Sequence, residues 1–104
     1  MSDSPLKVLL ARSDGLVFAD YLLGEGIYVI GSGAGAQLKV DTAAELHARL
    51  EVREGEFFIE DTSGSGGGTF LDGAVVLGRV RAYPGQTIQA GDCWIQLQSN
   101  QPES

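Results

Sequence analysis

Glycine-centred turn signals recur about every ten residues along this chain, with short aliphatic runs between them. They fall at Asp14-Gly15, Gly24-Glu25-Gly26, from Gly31 to Gly35, Glu54-Gly55, from Ser63 to Gly68, Asp72-Gly73, Pro84-Gly85 and Gly91-Asp92. The runs occupy residues 6–11, 16–22, 27–30, 37–40, 46–52, 56–60, 69–71, 75–80, 87–89 and 93–98. Many short strands at this spacing predict an all-β sandwich or barrel. The fifteen glycines follow no collagen period, so they read as tight turns.

Alternation supports strands. Leu46, Ala48, Leu50 and Val52 fall on one side of their run, and His47, Arg49, Glu51 and Arg53 on the other. Near the end, Cys93, Ile95 and Leu97 oppose Trp94, Gln96 and Gln98. An apolar face on each of two sheets buries a core about 10 Å thick. One segment carries two patterns. Thr42-Ala43-Ala44-Glu45 fits a capping box that would start a helix pairing Ala43, Leu46 and Leu50. The period-two alternation and β-branched Val52 favour a strand instead.

At 104 residues the chain is the size of one domain, with a core over about 6–98 and flexible tails at 1–5 and 99–104. A hydrophobic share of 43% with 20% charged residues fits a folded protein. The net charge of −7 argues against nucleic acid and against anionic membrane surfaces, both of which select clustered cations. The seven Lys and Arg are scattered singly. No apolar run reaches a membrane span, and the N-terminus lacks a secretory apolar stretch. Cys93 is the single cysteine, which rules out an intrachain disulfide and points to a buried structural thiol. The expected setting is the cytoplasm or another reducing, non-secreted compartment.

Candidate chemistry is sparse. Gly31-Ser32-Gly33-Ala34-Gly35-Ala36 matches a dinucleotide fingerprint, but another short strand rather than a helix follows it. The run from Ser63 to Thr69 resembles a phosphate nest without the lysine of a P-loop. His47 is the one histidine, so no histidine pair exists for a metal, and it reads as a structural group in a strand. Glu60-Asp61 reads as a solvated strand end, with Asp61 available to accept the N–H groups of the following loop. Neither catalysis nor a cofactor is indicated.

Taken in order, the pieces from Ile27 to Gln98 resemble the forkhead-associated (FHA) domain. The family pattern runs from an apolar strand ending in Gly-Arg to Ser-x-x-His-Ala. It continues with Asp-x-x-Ser-x-Asn-Gly-Thr-apolar-apolar-Asn-Gly and closes with a late Gly-Asp. Here stand Tyr28-Val29-Ile30-Gly31-Ser32, then Ala44-Glu45-Leu46-His47-Ala48, then Phe57-Phe58-Ile59-Glu60-Asp61. Ser65-Gly66-Gly67-Gly68-Thr69-Phe70-Leu71-Asp72-Gly73 and Gly91-Asp92 complete the series. The resemblance implies an FHA-like (SMAD/FHA) β-sandwich of about 10–11 short, mostly antiparallel strands, and it settles residues 46–52 as a strand.

It also divides the residues. Gly31, His47, Asp61, Gly68, Thr69, Gly73, Gly91 and Asp92 match positions that hold the family's fold, its histidine pinning loops by hydrogen bonds. The ligand-reading positions are changed. Ser32 stands for the phosphate-binding arginine and Ala44 for the phosphate-binding serine. Glu45 follows where asparagine is frequent, and Gly66-Gly67 stand for the Thr-Asn pair that grips phosphate and peptide backbone. The Ser65 match needs one inserted residue after Asp61.

Charge-assisted hydrogen bonds contribute roughly 1.5–3 kcal/mol each, and a micromolar complex holds only about 8 kcal/mol. Losing the arginine and its polar partners therefore removes most of a phosphopeptide's affinity. Glu45 adds repulsion of about a few kcal/mol against a phosphate roughly 5 Å away, before salt screening.

The expectation is a phospho-independent protein or peptide interaction module, without enzymatic activity, acting in assembly of a larger complex. Its partner surface is expected at the loop apex, with Ser32, Gly33, Ala44, Glu45, Ser65, Gly66 and Gly67, or else on a sheet face. The changed residues also resemble FHA-like domains of type III secretion inner-ring proteins and of cyanobacterial and chloroplast proteins. Two alternatives remain: a phosphothreonine reader with a relocated cation such as Arg49 or Arg12, and a small-ligand or enzymatic β-barrel.

Overall fold

The structure is a computed structural model that describes residues 6–64 and 67–99. Eleven strands follow one another: β1 (Leu6–Arg12), β2 (Val17–Leu23), β3 (Gly26–Gly31), β4 (Leu38–Lys39), β5 (Ala48–Arg53) and β6 (Glu56–Asp61), then β7 (Thr69–Leu71), β8 (Ala74–Val75), β9 (Arg79–Ala82), β10 (Thr87–Ala90) and β11 (Cys93–Ser99). They form a six-stranded sheet in the order β2-β1-β11-β10-β7-β8 and a five-stranded sheet in the order β4-β3-β5-β6-β9. Pairings are antiparallel except β3 with β4, so the all-β sandwich expected from the turn spacing is what forms.

Alternation decides which side chains meet. Val8 and Leu10 of β1, Ile88 of β10 and Ile95 and Leu97 of β11 face inward from one sheet, fully buried. Ile30, Leu50 and Ile59 face them from the other sheet, also at 0% exposure. Each such side chain stabilises the fold by roughly 1.5–3 kcal/mol, which makes this shared layer the main source of stability. Buried Cys93 and half-exposed Trp94 confirm the two faces read for β11.

Three expectations need correction. The run 75–80 is not one strand: Val75 ends β8 in the larger sheet, Gly78 turns at φ 70, and Arg79 begins β9 in the other sheet. In keeping with the strand reading no capping-box helix forms, and Thr42 through Glu45 lie in the loop before β5. That loop also reverses the expected facing of its last residues. Leu46 is 58% exposed and His47 is 1% exposed, because strand alternation begins only at Ala48. Ser99, expected in a tail, pairs with Leu6. The expected tails at 1–5 and 100–104 lie outside the described residues.

The turns use their sequence as read. Asp72 and Gly73, at φ 50 and 86, join β7 to β8. Positive φ at both central residues is what a tight two-residue hairpin requires, and Asp-Gly supplies it with little strain.

Candidate binding site at the loop apex

Three loops converge at one end of the sandwich: residues 32–37 after β3, 40–47 after β4 and, after β6, a third described at 62–64 and 67–68. The first two are zipped together by backbone. Ser32 N–H donates to the carbonyl of Ala44 at 3.0 Å, and Gly33 N–H to that of Glu45 at 3.1 Å. Gly31 is what lets them approach. A Cβ there would lie 2.2 Å from the Glu45 carbonyl oxygen, a distance no side chain tolerates. Thus Ser32, Gly33, Ala44 and Glu45 stand together, and the Cγ of Glu45 lies over Gly33, where an added Cβ would be 2.6 Å away.

His47 joins this pair to the third loop. Its main chain belongs to the sheet side, with N–H donating to Ile30 and C=O accepting from Thr62. Its ring is buried, Nδ1 accepting from Ala44 N–H at 3.0 Å and Nε2 bonded to the Gly68 carbonyl at 2.6 Å. Those partners fix the tautomer: Nδ1 can accept only if Nε2 carries the proton and donates.

Asp61 anchors the same loop from the end of β6. Its carboxylate accepts from the Thr69 hydroxyl at 2.7 Å and from Ser63 N–H at 3.2 Å, while the Ser63 hydroxyl accepts from Gly68 N–H. Partial burial alone would raise its carboxyl, but the bonds from Thr69 and Ser63 outweigh it and hold the group below its ordinary value. Gly91 and Asp92 brace the loop before β5. Asp92 N–H donates to the Thr42 hydroxyl at 2.9 Å, and a Cβ on Gly91, at φ 61, would fall 2.8 Å from the Thr42 carbonyl oxygen. Thr42, a helix cap by sequence pattern, instead holds the turn between β10 and β11 with its hydroxyl, fifty positions away. Gly67, φ 107, is exposed on the third loop, while Ser65 and Gly66 lie outside the described residues.

The cations are elsewhere. Arg49, Arg53, Arg79 and Arg81 lie on the outer face of the five-stranded sheet, paired with Glu60, Glu51 and Glu56. Arg79 and Arg81 also stack over the Phe58 ring, at 4.2 and 5.8 Å from its centroid. Arg12 bonds Asp14 at 2.6 Å. It lines a surface cleft of about 470 Å³ with Lys39, in which Asp14, Asp41 and Asp92 place three carboxylates against those two cations. Among the described residues no group of three or more His, Cys, Asp or Glu is placed to hold a metal ion.

The FHA domain profile matches residues 28–91, a stretch that contains all three loops and the strands carrying them. The chain belongs to the FHA family. Its members are protein-interaction modules, generally non-enzymatic, and phosphothreonine peptides are among their partners. FhaB of Mycobacterium tuberculosis, an FHA domain-containing protein, is 34% identical over 93 residues. That similarity covers 88% of this chain and 59% of FhaB, so the chain spans about three-fifths of the curated relatives it matches. Among solved structures, the FHA domain of CT664 from Chlamydia trachomatis superposes with a TM-score of 0.83 at 18% identity, covering 94% of this chain and all of that one. The FhaA FHA domain, solved in complex with the intracellular domain of Rv3910, superposes with a TM-score of 0.74 at 21% identity, over 89% of this chain and 99% of that one. At these identities the superpositions establish the FHA fold. No helix among the described residues is long and apolar enough to cross a membrane.

Proposed function

We propose that this FHA domain is a non-catalytic scaffold module that holds a protein partner without reading a phosphothreonine. One observation carries the reading. Where the family places a cation and a hydroxyl for phosphate, this apex presents Ser32, Ala44 and the exposed carboxylate of Glu45. The relocated cations considered above do not compensate: Arg49 is bonded to Glu60 on a sheet face, and Arg12 to Asp14 beside two further aspartates. At either place a phosphate dianion would have to compete with the carboxylate that already holds the cation.

The retained loop bracing supports a structural use of the same fold. His47, Asp61 and Thr69 still fix loops that lack the usual chemistry, which suits a rigid assembly component. The partner class is protein, as for the FhaA domain solved with another protein's intracellular domain. Residues 1–104 act as one FHA-like unit in this reading, and the lone buried Cys93 fits the cytoplasm or another reducing compartment.

Fluorescence polarisation with matched phosphothreonine and unmodified peptide libraries tests the proposal. Equal, weak responses to both sets are expected. Micromolar binding that disappears on removing the phosphate would overturn it.

A further inference from the structure

The outer faces of the two sheets differ sharply in charge. On the five-stranded sheet, Arg49, Glu51, Arg53, Glu56, Glu60, Arg79 and Arg81 are joined in ion pairs that cover the face. On the six-stranded sheet the outward positions carry two charges, Lys7 and Asp20.

Register across that sheet assembles a row of five apolar residues and one uncharged glutamine. Val17 of β2 stands opposite Ala11 of β1, at a bulge, and Ala11 stands opposite Trp94 of β11. Trp94 stands opposite Gln89 of β10, Gln89 opposite Phe70 of β7, and Phe70 opposite Val75 of β8. Five strand spacings make the row about 24 Å long. Val17 is 49% exposed, Val75 53% and Trp94 38%, so its two ends and its largest ring meet solvent. Depletion of charge around a central aromatic is how the fully buried core of a protein interface is composed.

The charge around the row selects the occupant. Asp14, Asp72 and Asp92 occupy turns that border this sheet, and Asp20 lies on it. Lys7, Arg12 and Lys39 oppose them, Arg12 already held by Asp14. The cleft beside this border adds Asp41, so five carboxylates stand against three cations around this sheet, whereas the other face carries four arginines against three glutamates. A second copy would bring the same acids against these.

We propose that the outer face of the six-stranded sheet, centred on Trp94, docks a different protein whose apolar patch is rimmed by Lys or Arg. The row provides burial and the acidic border provides orientation and steering. The loops take no part, so this assignment does not depend on how they treat phosphate.

Trp94 is the single tryptophan, which makes its emission a report on this face alone. Two synthetic amphipathic peptides of equal length serve as probes, each with a Leu-rich stripe, one flanked by Lys and the other by Glu. The Lys-flanked peptide is expected to shift Trp94 emission to the blue and to perturb the amides of Ala11, Phe70 and Gln89 in nitrogen-15 spectra. Val17→Lys and Val75→Lys, both at exposed positions, are expected to weaken its binding about tenfold or more. Several results would overturn the assignment: no emission shift, equal responses to both peptides, or perturbed amides confined to residues 32–46. Self-association in sedimentation equilibrium that Val75→Lys abolishes would give the face to a second copy instead, and would equally overturn it. Phosphate-dependent peptide binding at the loops would overturn the functional reading and leave this one standing.

Discussion

His47 and Gly68 are joined across the apex by a 2.6 Å hydrogen bond from the imidazole Nε2 to a backbone carbonyl 21 residues away. The opposite ring nitrogen accepts from Ala44 N–H, so one buried side chain sets the spacing of two loops. Both bonds join the buried ring to main-chain groups rather than to loop side chains. The apex is therefore built to hold its shape whatever side chains stand at residues 32, 44 and 45.

Replacing His47 with Ala removes both bonds and leaves a half-buried N–H and C=O to find water. The expected loss is about 2–4 kcal/mol, read as a lower denaturation midpoint in urea. Amide exchange at Ala44 and Gly68 should accelerate more than at Ile95 in the core, since the damage is local.

Asp61 makes stability depend on pH in a defined direction. Its folded carboxyl titrates below its ordinary value, so the unfolded chain binds the proton more readily. The contribution is fully present above about pH 4, the unfolded value, and is lost as pH falls through the lower folded value. Urea midpoints measured from pH 6 to pH 2.5 should fall with acid less steeply in Asp61→Asn than in the parent. Parallel curves would show that Asp61 is not held as described.

Much of this fold is legible in the sequence because its causes are local. Period-two alternation in β11 and Asp-Gly at the β7–β8 turn each act within a few residues, and both behave as read. His47 shows where locality ends. Alternation from Leu50 back to Leu46 points it outward, but its partners at Ala44 and Gly68 draw it in, and the second is set by the fold. The Val17 to Val75 row is equally invisible in sequence, since it is created by register across six strands. The proposed loss of phosphate reading at Ser32, Ala44 and Glu45 starts from the sequence, where these residues depart from a pattern that their neighbours match.

Cys93 should be chemically silent in the folded state. Its side chain faces the core at 3% exposure, and burial pushes its thiol up to about 11. At pH 8 that leaves about one molecule in a thousand as thiolate, the form that reacts. Labelling with an aromatic disulfide reagent should therefore be slow in buffer and fast in urea. Rapid labelling of folded protein would place the thiol at the surface.

If the frame is intact and only the reading residues differ, the chemistry should be recoverable. Ser32→Arg adds a guanidinium where the two zipped loops meet, Ala44→Ser adds a hydroxyl, and Glu45→Asn removes the repelling carboxylate. None requires a new backbone conformation, because Ser32 and Ala44 are already joined by a main-chain bond. New charge-assisted bonds at roughly 1.5–3 kcal/mol each, with the repulsion removed, amount to a gain of several kcal/mol. That suffices to bring a phosphothreonine peptide from no detectable affinity to about the micromolar range. Calorimetry with the triple variant should show binding that the unmodified peptide lacks, weakening with added salt. Glu45→Asn alone should not reach it, since removing repulsion leaves no cation to attract the phosphate. A folded triple variant that ignores the phosphate would mean that the third loop, at Gly67, withholds a contact the first two cannot replace.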